Sequence, residues 1–114
     1  MALLAAQLPD TVGMTATEKT REYLRCADPG RLQLVFAAQS IGLSVSHLSE
    51  CLRREGISYL ALRDEERKSR AEALLRLNRR ADLSGVMRVT GLAEAQACRN
   101  ITRWFGATLT QLRV

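Results

Sequence analysis

Apolar residues recur at helical spacing along most of the chain, and glycine interrupts them at intervals. The same punctuation appears twice. Ala37-Ala38-Gln39-Ser40-Ile41 runs into Gly42, Leu43 and Ser44, and a new apolar stripe follows at Val45, Leu48 and Leu52. Val86-Met87-Arg88-Val89-Thr90 runs into Gly91, Leu92, Ala93 and Glu94, and the stripe resumes at Ala97, Cys98 and Ile101. In both, an apolar helix end meets a glycine, which tolerates the left-handed backbone of a sharp turn. A small or acidic residue then opens the next helix. This is the pattern of a helix-turn-helix.

The remaining pattern predicts further helices. Thr15 to Cys26 is expected to be helical, capped by Thr17 with Glu18 in the first turn, facing Tyr23 and Leu24 inward and stopped by Asp28-Pro29-Gly30. Leu32 to Ser40 is expected next, with Leu32, Val35, Phe36 and Gln39 on one face. Ser44 should cap a helix whose stripe is Val45, Leu48, Cys51 and Leu52, up to Gly56. Ser58 opens a long helix to about Leu77, carrying Tyr59, Leu62, Ala71, Leu74 and Leu75. Its charged run from Arg63 to Arg70 sets opposite charges at helical spacing, as in Asp64 with Lys68 and Glu66 with Arg70. Asp82 caps Leu83 to Thr90, Glu94 starts a helix to about Trp104, Gly106 ends it, and Thr108 caps a last turn with Leu109 and Leu112.

The expected fold is therefore all-α, with about seven helices. Two helix-turn-helix lobes, homeodomain-like three-helical units, are joined by the long central helix. The expected organisation is a flexible N-terminal tail over 1–14, a first lobe over 15–57, a linker helix over 58–77 and a second lobe over 78–114. Composition agrees with this class: 46% of the 114 residues are apolar but only 4% aromatic, so the core must be built from aliphatic side chains. Such a core suits close-packed helices better than a β-sandwich.

Charge narrows the choice of partner. The net charge is +5, yet residues 1–50 carry four basic against five acidic side chains, so the excess lies wholly in residues 51–114. A basic half on a small domain is the footprint of phosphate binding, although a solvated surface has the same composition. Cys26, Cys51 and Cys98 are widely spaced and His47 is the single histidine, so neither a zinc site nor a disulfide framework is expected, and no cofactor. Met1 to Leu8 is apolar but has no basic n-region and is too short to span a membrane. A cytoplasmic protein with no membrane or metal partner is expected. Asp64, Glu65 and Glu66 follow one another on a helix and cannot face each other across a cleft, and no phosphate-binding glycine loop or nucleophile elbow is present. Nothing in the pattern suggests an enzyme.

From about residue 20 to Arg113 the chain resembles the AraC/XylS-type DNA-binding domain of transcription regulators. The resemblance is carried by Glu55-Gly56-Ile57-Ser58-Tyr59, Leu62 to Arg67, Ala71, Leu74-Leu75, Gly91-Leu92-Ala93-Glu94, Arg103 to Thr108 and Arg113, in the family's order. It implies two recognition helices, near Ser44–Arg54 and Ala93–Arg103, entering successive major grooves of double-stranded DNA about 34 Å apart. It also implies a bacterial, nucleoid-associated transcription factor that contacts RNA polymerase. Arg67 matches a family arginine and is expected to bridge the central helix to a lobe. The second lobe departs from the family: Leu92, Cys98 and Ile101 stand where phenylalanine is usual, and Met87 where a small alanine is. Leu109 and Leu112 replace proline and tyrosine, and the stretch from Gly91 to Trp104 is one residue short.

Gln96, Arg99 and Asn100 are expected on the outer face of the second recognition helix, where Arg can bond guanine and Asn or Gln adenine. Ser44, Ser46 and His47 are the comparable set in the first, beside Glu50, which can accept from cytosine but repels the backbone. Arg53, Arg54, Arg79, Arg80 and Arg103 are candidate phosphate clamps, with a solvated basic face as the alternative. Trp104 and Phe105 are expected to close the second core rather than stack on bases. The function expected is sequence-specific DNA binding. The competing one is a degenerate module acting through protein–protein contact with another regulator or RNA polymerase.

Overall fold

The computed structural model describes residues 13–112, so the tail expected over 1–14 falls outside them except for Gly13 and Met14, and Arg113 falls outside as well. Seven α-helices and no strand occur among the described residues. They are α1 Ala16–Cys26, α2 Leu34–Ile41, α3 Val45–Arg54, α4 Tyr59–Leu77, α5 Leu83–Thr90, α6 Glu94–Phe105 and α7 Leu109–Leu112, with a 3-10 turn Pro29–Arg31 between α1 and α2. No described helix is long and apolar enough to cross a membrane.

Local chemistry sets most of the boundaries. Ser44 accepts from the His47 amide, Ser58 from Ala61 and Asp82 from Gly85, each satisfying an N–H that the first helical turn leaves free. Gly42, Gly91 and Gly106 end α2, α5 and α6 in the left-handed conformation. The cap of α1 is Thr15, not Thr17. Thr15 has extended backbone and makes a reciprocal box with Glu18, whereas Thr17 lies inside the first turn and gives its amide and hydroxyl to Glu55 at 2.8 and 2.6 Å.

The start of α2 also differs from expectation. Asp28-Pro29-Gly30 does more than stop α1: Arg31 N–H donates to the Asp28 carbonyl and winds a 3-10 turn. This turn delays α2 to Leu34 and rotates its face. Leu32 is buried from outside the helix, Ala37 and Ala38 form the inner face, and Val35 is 45% exposed. Two alanines let α2 approach its neighbours closely, which the bulkier set expected there would prevent.

Two cores result. The first joins Leu24, Leu32, Ala37, Ala38, Leu48, Leu52, Tyr59 and Leu62. The second joins Ala71, Val86, Leu92, Ala97 and Ile101, with Trp104 and Phe105 packed on it as expected. Each fully buried leucine contributes about 2 kcal/mol of transfer free energy. The central helix α4 belongs to both cores, through Tyr59 and Leu62 at one end and Ala71 at the other. Two cores strung along one helix of 19 residues make the molecule long, 53 × 30 × 21 Å, with a radius of gyration of 16.3 Å. A compact chain of this size would have about 13 Å.

Arginines on α4 tie the lobes together. Arg67 Nε donates to the Thr90 carbonyl at 3.0 Å, the bridge expected from the sequence resemblance. Arg70 reaches both lobes: it donates to the carbonyls of Leu24 (2.7 Å) and Ala27 (2.6 Å) at the end of α1 and of Val89 (3.2 Å) in α5, and pairs with Glu66 at 2.8 Å. A guanidinium there satisfies carbonyls that helix ends leave open and complements two negative helix termini. Gly91 completes the junction, since a Cβ there would collide with the Pro29 carbonyl oxygen of the first lobe.

Candidate nucleic-acid interface

The two helix-turn-helix units are α2-turn-α3 and α5-turn-α6, and of the polar side chains expected to read a ligand along the second helix of each, all but Asn100 are exposed. In the first, Gly42 and Leu43 both donate to the Ala38 carbonyl at 2.9 Å, which closes the turn and sets the direction of α3. Leu48 and Leu52 hold the inner side of α3 in the core. Ser44, Ser46 and His47 are consequently exposed along its N-terminal half.

The far end of α3 is electrostatically occupied. Glu50 accepts from Arg53 at 2.6 and 3.1 Å and from Arg54 at 3.2 Å. The Arg53 hydrogen bond holds the Glu50 carboxyl below the usual range, and Arg54 adds to it. Both arginines are exposed, but in the free protein one carboxylate shares them. Arg79 and Arg80 lie in the exposed turn between α4 and α5, where the Asn78 side chain accepts from the Arg80 amide at 3.0 Å.

In the second unit four candidates form one chain of hydrogen bonds. Arg99 donates to Gln96 Oε1 at 2.8 Å, Gln96 Nε2 to Asn100 Oδ1 at 3.1 Å, and Arg103 to the same Asn100 oxygen at 3.1 Å. Gln96, Arg99 and Arg103 are exposed. Asn100 is not on the outer face: it is 5% exposed. It follows Ala97 by three residues and precedes Trp104 by four, which places it on the inner stripe of α6. Its oxygen orients Gln96 and Arg103 from beneath.

The chain continues into the central helix. Arg103 donates to both oxygens of Asp64, and Trp104 Nε1 donates to Asp64 Oδ1 at 3.1 Å. The Arg103 bonds hold the Asp64 carboxyl below its usual range against partial burial, with Trp104 assisting. The sequence assigned Asp64 to Lys68, its neighbour one turn on, and so missed its role as the anchor of α6. Arg70 was likewise read only as the partner of Glu66. Among the described residues no group of three or more His, Cys, Asp or Glu converges as a metal site would need.

Seen together, α6 presents Gln96 and Arg99 outward on a base fixed by Asn100, Arg103 and Asp64. Bidentate guanidinium and amide groups on a braced helix can recognise phosphates or the edges of bases. No protein-family model matches the chain, and no curated protein matches it. Among solved structures, it is similar to the crystal structure of a DNA-binding transcriptional dual regulator from Escherichia coli K-12, with a TM-score of 0.78 and 20% sequence identity over 90% of this chain and 93% of that one. At that identity the likeness is one of fold.

Proposed function

We propose that this protein is a sequence-specific DNA-binding transcription regulator of the AraC type, with α3 and α6 as recognition helices in successive major grooves. The observation that carries the reading is the exposed Gln96–Arg99 pair on α6, braced from beneath and mounted on the second of two helix-turn-helix units. The fold shared with a DNA-binding regulator supports it. So does the 53 Å long axis, which accommodates two helices about 34 Å apart. The working units are a first lobe over 15–57, the joining helix over 58–77 and a second lobe over 78–114. The setting is the bacterial cytoplasm, and the output runs through RNA polymerase.

Gln96 and Arg99 read bases in this scheme, and Ser44, Ser46 and His47 contact the other half-site. Arg53, Arg54, Arg79, Arg80 and Arg103 hold backbone phosphates, which position the protein without specifying sequence. Asn100 acts through its neighbours. Selection from a random duplex library, with recovered sites titrated at two salt concentrations, tests the scheme. A two-part motif one helical turn apart is expected, lost on Arg99→Ala in a protein that remains folded. An Arg99→Ala variant that selects the same motif overturns the assignment of α6.

One observation favours a second reading. Glu50 ties up both arginines at the end of α3, which weakens the case for DNA contact by the first lobe. In that reading the module acts by contact with another regulator or RNA polymerase. It predicts salt-dependent binding with no motif in the same selection.

A further inference from the structure

An open cleft of about 460 Å³ lies between α4 and α6. Leu60, Arg63 and Arg67 line it from the central helix, at positions that share one helical face, and Gln96, Asn100 and Arg103 line it from the recognition helix. Asp64 is the one carboxylate in it, and Arg103 and Trp104 already occupy its oxygens. The nearby acids of α4 are also engaged: Glu65 faces Arg21 at 3.5 Å and Glu66 holds Arg70 at 2.8 Å.

Arg63 and Arg67 are left as like charges one helical turn apart, an arrangement that destabilises a helix. Both are partly buried, and among the described residues neither has an ion-pair partner. Burial holds the Arg67 guanidinium below its usual range, and the charge of Arg63 pushes the same way. Arg67 has a structural use, its bond to the Thr90 carbonyl. Arg63 makes no hydrogen bond to any described residue that would explain its place beside another cation.

We propose that this cleft seats a phosphate group of the bound duplex, with Arg63 as its principal ligand and Arg67 as a supporting charge. The proposal rests on the DNA-binding reading above. It makes the central helix a contact element and not only a spacer between lobes. A guanidinium fork matches the geometry of phosphate oxygens. The cleft is also continuous with the reading face, because Gln96 belongs both to its wall and to the exposed pair with Arg99. A backbone phosphate flanking the groove that α6 enters would therefore meet Arg63 without any movement of the lobes.

The test compares wild type, Arg63→Gln, Arg63→Lys and Arg99→Ala on the selected site and on an unrelated duplex over a series of salt concentrations. Arg63→Gln is expected to lower affinity about tenfold on both duplexes. Its plot of log K against log salt should be shallower by about 0.9, the loss of one phosphate contact. Arg63→Lys should restore the slope, and Arg99→Ala should lose only the preference for the selected site. The thermal midpoint of Arg63→Gln should equal or exceed that of wild type, since a like-charge pair is removed. An unchanged slope in Arg63→Gln, with Arg99→Ala still losing preference, overturns the proposal and leaves the DNA-binding reading standing. Wild-type protein that binds neither duplex overturns both. Inorganic phosphate, followed through the arginine Nε–H resonances, separates the sources: saturation of Arg63 by free phosphate with no change in the duplex slope overturns the duplex assignment.

Discussion

The Asp64 carboxylate accepts two hydrogen bonds from the Arg103 guanidinium, at 2.5 and 3.1 Å, across 39 residues of sequence. It thereby joins the first half of the central helix to the last turn of α6. Trp104 Nε1 shares one of its oxygens, and Arg103 also reaches Asn100, so the tilt of α6 and the base beneath Gln96 are set together.

Asp64→Asn removes the charge and should destabilise the second lobe by about 1 kcal/mol, a modest figure because the pair is partly exposed and screened. The sign of the pH dependence follows from the depressed carboxyl. Its contribution is present above the ordinary aspartate value of about 3.9 and is lost as pH falls through the lower folded-state value. Urea midpoints of wild type and Asp64→Asn, compared from about pH 7 to about pH 3, should converge as the pH falls. A constant gap over that range would mean that an ionised Asp64 is not the source of the difference.

Glycine 91 serves the junction as well as the turn. Gly42 and Gly91 have similar positive φ angles, 86° and 74°, yet a Cβ at Gly42 would meet open space while one at Gly91 would strike the Pro29 backbone. Gly42→Ala should cost about 1 kcal/mol, the left-handed penalty alone. Gly91→Ala should cost about 3 kcal/mol, because α5 or the 3-10 turn must also move. Equal denaturation midpoints for the two variants would show that the approach of Gly91 to Pro29 contributes nothing.

The sequence made legible what neighbouring residues decide. Ser44, Ser58 and Asp82 cap their helices, and Gly42, Gly91 and Gly106 end theirs, because a cap or a left-handed turn is a matter of a few adjacent residues. The all-α class and the two helix-turn-helix lobes follow from that punctuation. The phase of α2 was not legible, since one 3-10 turn moved its start from Leu32 to Leu34 and so changed which side faces inward. Long-range partners were hidden for a different reason. Asp64 and Arg70 each had a helical neighbour of opposite charge, whereas Asp64 bonds to Arg103 and Arg70 also bonds to carbonyls 43 and 46 residues away. The burial of Asn100 did leave a signal, its place on the stripe of Ala97, Ile101 and Trp104, but its polar side chain suggested an exposed position.

Thr20 on α1 is wholly buried, and its Oγ1 has no hydrogen-bond partner among the described residues. A buried hydroxyl without a partner loses its hydration for no return. Thr20→Val keeps the shape and replaces the hydroxyl with a methyl, so it should stabilise the protein by about 1 kcal/mol, or roughly 4 °C in Tm for a domain of this size. A lower Tm for Thr20→Val would mean that the hydroxyl has a partner, such as a buried water.

Arg70 is the side chain whose loss should separate the lobes. Its side chain is 15% exposed and Glu66 beside it 18%, so truncation to alanine leaves a carboxylate partly buried without its partner and opens three carbonyls, at Leu24, Ala27 and Val89. The expected cost is about 3 kcal/mol. The form of the unfolding curve is more telling than its midpoint. Trp104 packs on the second core, while Tyr23 and Tyr59 pack in the first. Fluorescence of Trp104 and far-ultraviolet circular dichroism should report one coincident transition in the wild type, because α4 and Arg70 couple both cores. In Arg70→Ala the two probes should diverge, with the Trp104 transition coming first, since the second core has fewer large buried side chains than the first. Coincident transitions in the variant would mean that the shared helix alone makes the lobes cooperative, with Arg70 contributing stability but no coupling.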